Sequence, residues 1–90
     1  MLLLRSKYRC ISASSGEAGL REVEISKPDL VISDVQMIGG ISGFHVCDHL
    51  KSRDPSLPVI LLTNFNDREC RMQGLQSGAN DYLRKRVDNQ

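Results

Sequence analysis

Two short runs in this chain are apolar throughout, and longer stretches between the strand-like runs carry apolar residues at helical spacing. Leu30-Val31-Ile32 follows Pro28 and ends on Ser33-Asp34, and Val59-Ile60-Leu61-Leu62 follows Pro58 and ends on Thr63. Such runs, bounded by turn residues, suit strands buried on both faces, as in a parallel sheet. Weaker strand patterns lie at 8–13, where Tyr8, Cys10 and Ile11 precede a break from Ser12 to Gly16, and at 81–84. A first helix is predicted over 15–26, with Leu20 and Val23 inward and Pro28 beyond its end. Ser14-Ser15-Gly16-Glu17 matches a capping box, with Ser14 as N-cap and Glu17 reaching back. Phe44, Val46, Cys47 and Leu50 form the stripe of a second helix, which stops before Asp54-Pro55. A third helix opens at Asn66-x-x-Glu69, runs through Met72 and Leu75, and ends at Gly78.

Strands and helices therefore alternate with short connections, which implies right-handed crossovers and a parallel sheet. In open sheets of this kind ligands gather at the carboxyl ends of the strands. Asp34, Thr63 and Lys85 all fall at such ends. Taken singly, Asp34 caps the glycine-rich turn Gly39-Gly40-Ile41-Ser42-Gly43, Thr63 terminates a strand and Lys85 is a surface charge. Only their common placement suggests a site.

Composition narrows the function classes. Ninety residues with 40% apolar and 26% charged side chains make one globular domain. Twelve basic against eleven acidic residues leave +1, and the longest basic run is Arg84-Lys85-Arg86, so no direct nucleic-acid partner is expected. Met1-Leu2-Leu3-Leu4 is too short for a leader or a membrane span, so no membrane partner is expected. Cys10, Cys47 and Cys70 fit neither a zinc pattern nor a disulfide framework and are read as reduced thiols of a cytoplasmic protein. His45 and His49 share a helix face at i, i+4 but have no evident third metal ligand, so they are expected to be exposed. Gly39-Gly40 lacks the spacing of a phosphate-cradling or dinucleotide loop. A phosphohydrolase built on a strand-end aspartate places a general acid two residues further on. Gln36 stands there, so the chain is not expected to be an enzyme.

With these pieces in order, residues 8–85 resemble the receiver domain of two-component response regulators. The resemblance rests on Ser14-Ser15-Gly16-Glu17, on Pro28-Asp29-Leu30-Val31-Ile32-Ser33-Asp34-Val35-Gln36-Met37, on Gly43, on Pro58-Val59-Ile60-Leu61-Leu62-Thr63 and on Ser77-Gly78-Ala79-Asn80-Asp81-Tyr82-Leu83-Arg84-Lys85. It implies a flavodoxin-like, doubly wound parallel sheet. It makes Asp34 the phosphoacceptor, Thr63 the switch hydroxyl, Tyr82 the switch aromatic and Lys85 the lysine of the phosphate site. Its cofactor is Mg²⁺, here left with Asp34 and the backbone carbonyl of Gln36. Its partners are a histidine kinase or phosphotransfer protein and an output domain or partner protein. The alternative is a pseudo-receiver, an interaction module that works without phosphorylation.

The chain also departs from that family. Receivers hold Mg²⁺ with an acidic pair at the end of their first strand, whereas the first acidic residue here is Glu17. Leu2-Leu3-Leu4 is read as the tail of the family's first helix, so residues 1–90 are expected to form one partial receiver domain, truncated at both ends, with the first strand and last helix missing. Mg²⁺ binding is accordingly expected to be weak. Removing a central strand opens a gap of roughly 9.6 Å, twice the ~4.8 Å strand spacing. Three remedies are available: an inward shift of the 8–13 strand, an antiparallel fold-back of residues 1–4, or association of two chains. Association as a homo-oligomer is favoured, since a missing last helix also bares one sheet face.

Overall fold

The structure, a computed structural model, describes residues 2–5, 9–36, 40–64 and 68–85. Among these residues the order is β1 (Leu2–Arg5), β2 (Arg9–Ser12), α1 (Gly16–Ser26), β3 (Leu30–Asp34), α2 (Gly43–Arg53), β4 (Val59–Thr63), α3 (Arg68–Gln76) and β5 (Asp81–Arg84). The strands make one sheet in the order β2-β1-β3-β4-β5. β3, β4 and β5 are parallel, with Val31 opposite Val59 and Leu61 opposite Tyr82.

The flavodoxin-like order is present, but its central position is filled in an unexpected way. Leu2-Leu3-Leu4 is not the tail of a helix. β1 runs antiparallel to both neighbours, with Leu3 opposite Ile11 on one side and Val31 on the other. The chemistry of the connection explains this. Three residues join β1 to β2, enough for a hairpin and far too few for a parallel crossover. Four residues are also too few to nucleate a helix. Pairing on both sides satisfies backbone groups of β2 and β3 that a vacant position would leave orphaned. The gap therefore closes within one chain, by the fold-back, and it gives no reason for two chains to associate.

Burial is one-sided along the paired strands. Val31, Ser33, Val59 and Leu61 are fully buried and Thr63 is 3% exposed. Leu30, Ile32, Ile60 and Leu62, at the alternate positions, are only half-buried, and Leu83 is 45% exposed. The two apolar runs are thus not buried on both faces. α2 packs across β3 and β4 with Val46, Cys47 and Leu50, while Leu20 and Val23 of α1 join the same cluster, as their spacing predicts. His45 and His49 lie exposed on α2, as expected. The second layer of helices that a doubly wound sheet carries is absent among the described residues.

Caps set the helix ends. Ser15, not Ser14, is the N-cap of α1, and its hydroxyl accepts from Ala18 N–H at 3.1 Å. The one-residue shift puts Gly16 first in the helix, where a Cβ would stand 2.7 Å from Ile41 Cγ1 and 2.9 Å from Val46 Cγ2. It also moves Glu17 off the position from which a capping-box acid reaches back. Lys27 closes α1 in the left-handed region at φ 48°, just before Pro28. Ser42 caps α2. Gly78, at φ 92°, ends α3 as predicted. Tyr8 and the Asn66 cap lie outside the described residues.

At the end of the sheet remote from Asp34, Lys51 ties three segments together. Its ammonium donates to Pro55 O at 3.1 Å, Leu57 O at 2.9 Å and Asn80 Oδ1 at 2.8 Å. Asn80 Oδ1 also accepts from Val59 N–H at 2.9 Å, which sets the start of β4.

Candidate functional site

Asp34 ends β3, Thr63 ends β4, and Lys85 follows β5. The backbone between them is pinned. Val35 N–H donates to Leu62 O at 2.7 Å, one residue past Asp34, and Lys85 N–H donates to Thr63 O. The sheet ladder thus continues one residue past β3 and one past β5. Lys85 Nζ lies 3.1 Å from Asp34 Oδ1. The two side chains are 36% and 37% exposed, so solvent screens the pair and it contributes at most about 1 kcal/mol to stability. Its charge is available for chemistry.

Tyr82 pairs with Leu61 in register and therefore faces the helices, as Thr63 does two residues along β4. Its ring lies 6.4 Å from that of Phe44, centroid to centroid, with planes inclined by 10°. Gly74 of α3 also lies against the ring, since a Cβ there would stand 2.6 Å from Tyr82 Cδ1. Phe44 and Gly74 thus form a socket for the ring.

The structure sets Lys85 beside Asp34 and bonds the Lys85 main chain to that of Thr63 at the end of the adjacent strand, while Tyr82 packs, partly buried, against the core. Several supporting residues escape the sequence reading. Gly43 follows the N-cap of α2 and donates its N–H to Val35 O at 2.7 Å, and a Cβ there would collide with the main-chain oxygen of Asp34. The receiver pattern singles out Gly43, but not the close approach to Asp34 that excludes a side chain there. Ser33, fully buried, donates its hydroxyl to Asp34 O at 3.0 Å. Cys47 is also fully buried and donates Sγ–H to Ser77 O at 3.4 Å. Burial pushes its thiol pKa up, against the smaller opposing effect of the Ser77 side chain, so it is a packing residue and not a nucleophile. No disulfide joins the three cysteines.

The donor set does not fit Mg²⁺ well. That ion demands near-octahedral oxygen ligands, commonly with one or two carboxylates. Asp34 supplies one carboxylate, already shared with Lys85, and Gln36 could add its main-chain carbonyl. β1 contributes no acid, and because it is antiparallel it brings Leu2 rather than Arg5 toward the Asp34 end of β3. No group of three or more His, Cys, Asp or Glu that could hold a metal occurs among the described residues. No helix among them is long and apolar enough to cross a membrane.

Known proteins resemble this chain in sequence and in fold. The chain is 46% identical over 85 residues to the transcriptional regulatory protein AfsQ1 of Streptomyces coelicolor, covering 94% of this chain and 37% of that protein. It is 39% identical over 83 residues to PhoP of Bacillus subtilis, an alkaline phosphatase synthesis transcriptional regulatory protein, covering 92% of this chain and 34% of that protein. The chain thus spans little more than a third of these curated relatives. A solved response regulator from Chloroflexus aurantiacus superposes with a TM-score of 0.74 at 36% identity, covering 81% of this chain and 61% of that one. The family model for the response regulator receiver domain matches residues 1–90, and the chain belongs to that family.

Proposed function

We propose that this chain is a phosphoacceptor module of a two-component phosphorelay, with Asp34 as the residue that takes the phosphoryl group. The observation that carries this reading is the 3.1 Å pair of Asp34 and Lys85 beside the end of the Thr63 strand. A carboxylate oxygen of Asp34 attacks the phosphorus of a donor such as a phosphohistidine. The new O–P bond forms as the donor's P–N bond breaks, and the leaving imidazole keeps the electron pair. The product is an acyl phosphate whose added charge needs donors. Lys85 supplies a cation, and the Thr63 hydroxyl supplies a hydrogen bond once it turns toward the phosphoryl oxygens. That turn changes the space beside Tyr82, which carries the signal into the core.

On this reading the chain is no enzyme in its own right. Its donor is a histidine kinase or phosphotransfer protein, its target is an output domain or partner protein, and it works in the cytoplasm. Mg²⁺ is held weakly, for want of a second carboxylate. Incubation with acetyl phosphate and Mg²⁺ should add one phosphoryl group to the intact mass. Asp34→Asn should abolish that addition, and labelling that survives the substitution refutes the assignment.

The poor metal site favours a second reading, an interaction-only pseudo-receiver. In that case the wild type stays unlabelled and Asp34→Asn leaves partner binding unchanged.

A further inference from the structure

Glu17 lies outside the group of residues assigned to the phosphoryl chemistry, yet it is tied to the segment that follows the phosphoacceptor. Its Oε2 accepts from Ile41 N–H at 3.2 Å, across 24 positions of sequence. Two glycines make room for this contact. A Cβ on Gly40 would stand 2.5 and 2.6 Å from the Glu17 carboxylate oxygens, and Gly40 has φ 88°. A Cβ on Gly16 would stand 2.7 Å from Ile41 Cγ1 and 3.2 Å from Ile41 O. The start of α1 and the turn at Gly40 and Ile41 are thus fitted together by the absence of two side chains and joined by one carboxylate.

The same segment is pinched at its base. Val35 N–H donates to Leu62 O, and Gly43 N–H returns to Val35 O, both at 2.7 Å. Gln36 emerges directly from that base. The peptide that joins Val35 to Gln36 is therefore held by Gly43 N–H, and Gly43 lies two residues after Ile41, which Glu17 holds. The Asp34 side chain is 37% exposed.

We propose that Glu17 is a positioning residue for the phosphoacceptor site: its carboxylate latches the turn at Ile41 to α1 and so fixes the Gln36 peptide beside Asp34. This deepens the phosphoacceptor reading and rests on it for its effect on phosphoryl transfer. The latch itself does not, and it can be judged separately. Its 3.2 Å length is at the long end for a hydrogen bond to an ionised acceptor. Removal of such an acceptor leaves an amide with water as its only alternative.

Amide exchange and nitrogen–proton correlation spectra of the 90-residue chain test the latch. In Glu17→Ala the Ile41 amide should exchange about tenfold faster, and the Gln36 and Asp34 amide signals should move. Glu17→Gln keeps an acceptor oxygen, so exchange should return to within about threefold of wild type. Gly40→Ala should mimic Glu17→Ala with the carboxylate still present. Unchanged Ile41 exchange in Glu17→Ala overturns the latch. So does an equal loss in the Ala and Gln variants, which would mark general destabilisation. In labelling by acetyl phosphate, Glu17→Ala should slow the rate about fivefold and Glu17→Gln should restore it. A latch seen by exchange with no change in the labelling rate overturns its positioning role. A wild type that takes no phosphoryl group overturns the phosphoacceptor reading and with it that role, while the exchange data still decide the latch.

Discussion

Replacing Gly74 by alanine sets two effects of opposite sign against each other. Gly74 lies within α3, and alanine there should favour the helix by roughly 0.5–1 kcal/mol. The new methyl, however, would stand 2.6 Å from Tyr82 Cδ1, 3.0 Å from Cε1 and 3.3 Å from Cγ. Ordinary carbon contacts lie at about 3.5–4.0 Å, so ring or helix must retreat by about 1 Å. Overpacking of this kind costs about 1–3 kcal/mol. If the ring leaves the socket instead, it gives up its parallel contact with Phe44, worth about 0.5–1.5 kcal/mol, along with its burial. Either route outweighs the helix gain, and Gly74→Ala should lower stability by about 1 kcal/mol net. Urea denaturation followed by far-ultraviolet circular dichroism measures the change, and tyrosine fluorescence reports the ring. A double-mutant cycle isolates the cause. In a Tyr82→Ala background the clash is gone, so adding Gly74→Ala should raise stability by about 0.5–1 kcal/mol. A Gly74→Ala protein stabilised to the same extent in both backgrounds would show that the ring does not occupy the socket.

Lys51→Met keeps the aliphatic stem but removes the donor shared by Pro55 O, Leu57 O and Asn80 Oδ1, so the urea midpoint should fall by the equivalent of about 1–2 kcal/mol; an unchanged midpoint would mean that water replaces the clamp freely. Leu3→Pro deletes a ladder donor from a strand paired on both sides, so it should cost about 3 kcal/mol or prevent folding, and a loss below about 0.5 kcal/mol would argue against β1 as a central strand. Hydrogen bonds from the Ser56 hydroxyl and then its N–H hold the Asp54 carboxyl pKa below its ordinary value. A carboxyl lowered in the folded state stabilises above its unfolded pKa and loses that contribution as the pH falls through the folded one. Asp54→Asn should therefore flatten the acid limb of the stability profile below pH ~4, and an identical limb in the variant would contradict the assignment.

The elements that the sequence foretells best are those whose pattern is local. β3 and β4 are apolar runs introduced by prolines, and both end on the residues predicted, Asp34 and Thr63. Their common edge follows from alternation alone, which puts Lys85 at the same edge as Asp34. What escapes the sequence is set by partners far along the chain. Leu2-Leu3-Leu4 is equally compatible with the end of a helix and with a strand, and only Ile11 and Val31 on either side decide. The cap falls at Ser15 and not Ser14, which puts Gly16, close against Ile41 and Val46, first in the helix. Phe44 reads as one more apolar residue of a helix stripe, and nothing local marks it as the stacking partner of Tyr82. Nor does a glycine in mid-helix announce the ring that needs its space.

The way β1 fills the sheet bears directly on the chemistry at Asp34. A place in a sheet is specified by backbone hydrogen bonds, and almost any short extended segment that reaches it can supply them. Leu2–Arg5 does so in the direction its three-residue connection allows. A metal cage is specified by side chains at one end of a strand, and reversing the strand exchanges its ends. Even an acidic pair placed after Arg5 would have stood at the opposite edge from Asp34. Strand direction, more than strand presence, therefore decides which residues β1 brings to the Asp34 edge. One carboxylate and one lysine remain at the edge where phosphoryl chemistry is expected. There Lys85 holds a positive charge 3.1 Å from Asp34 without needing any contribution from β1.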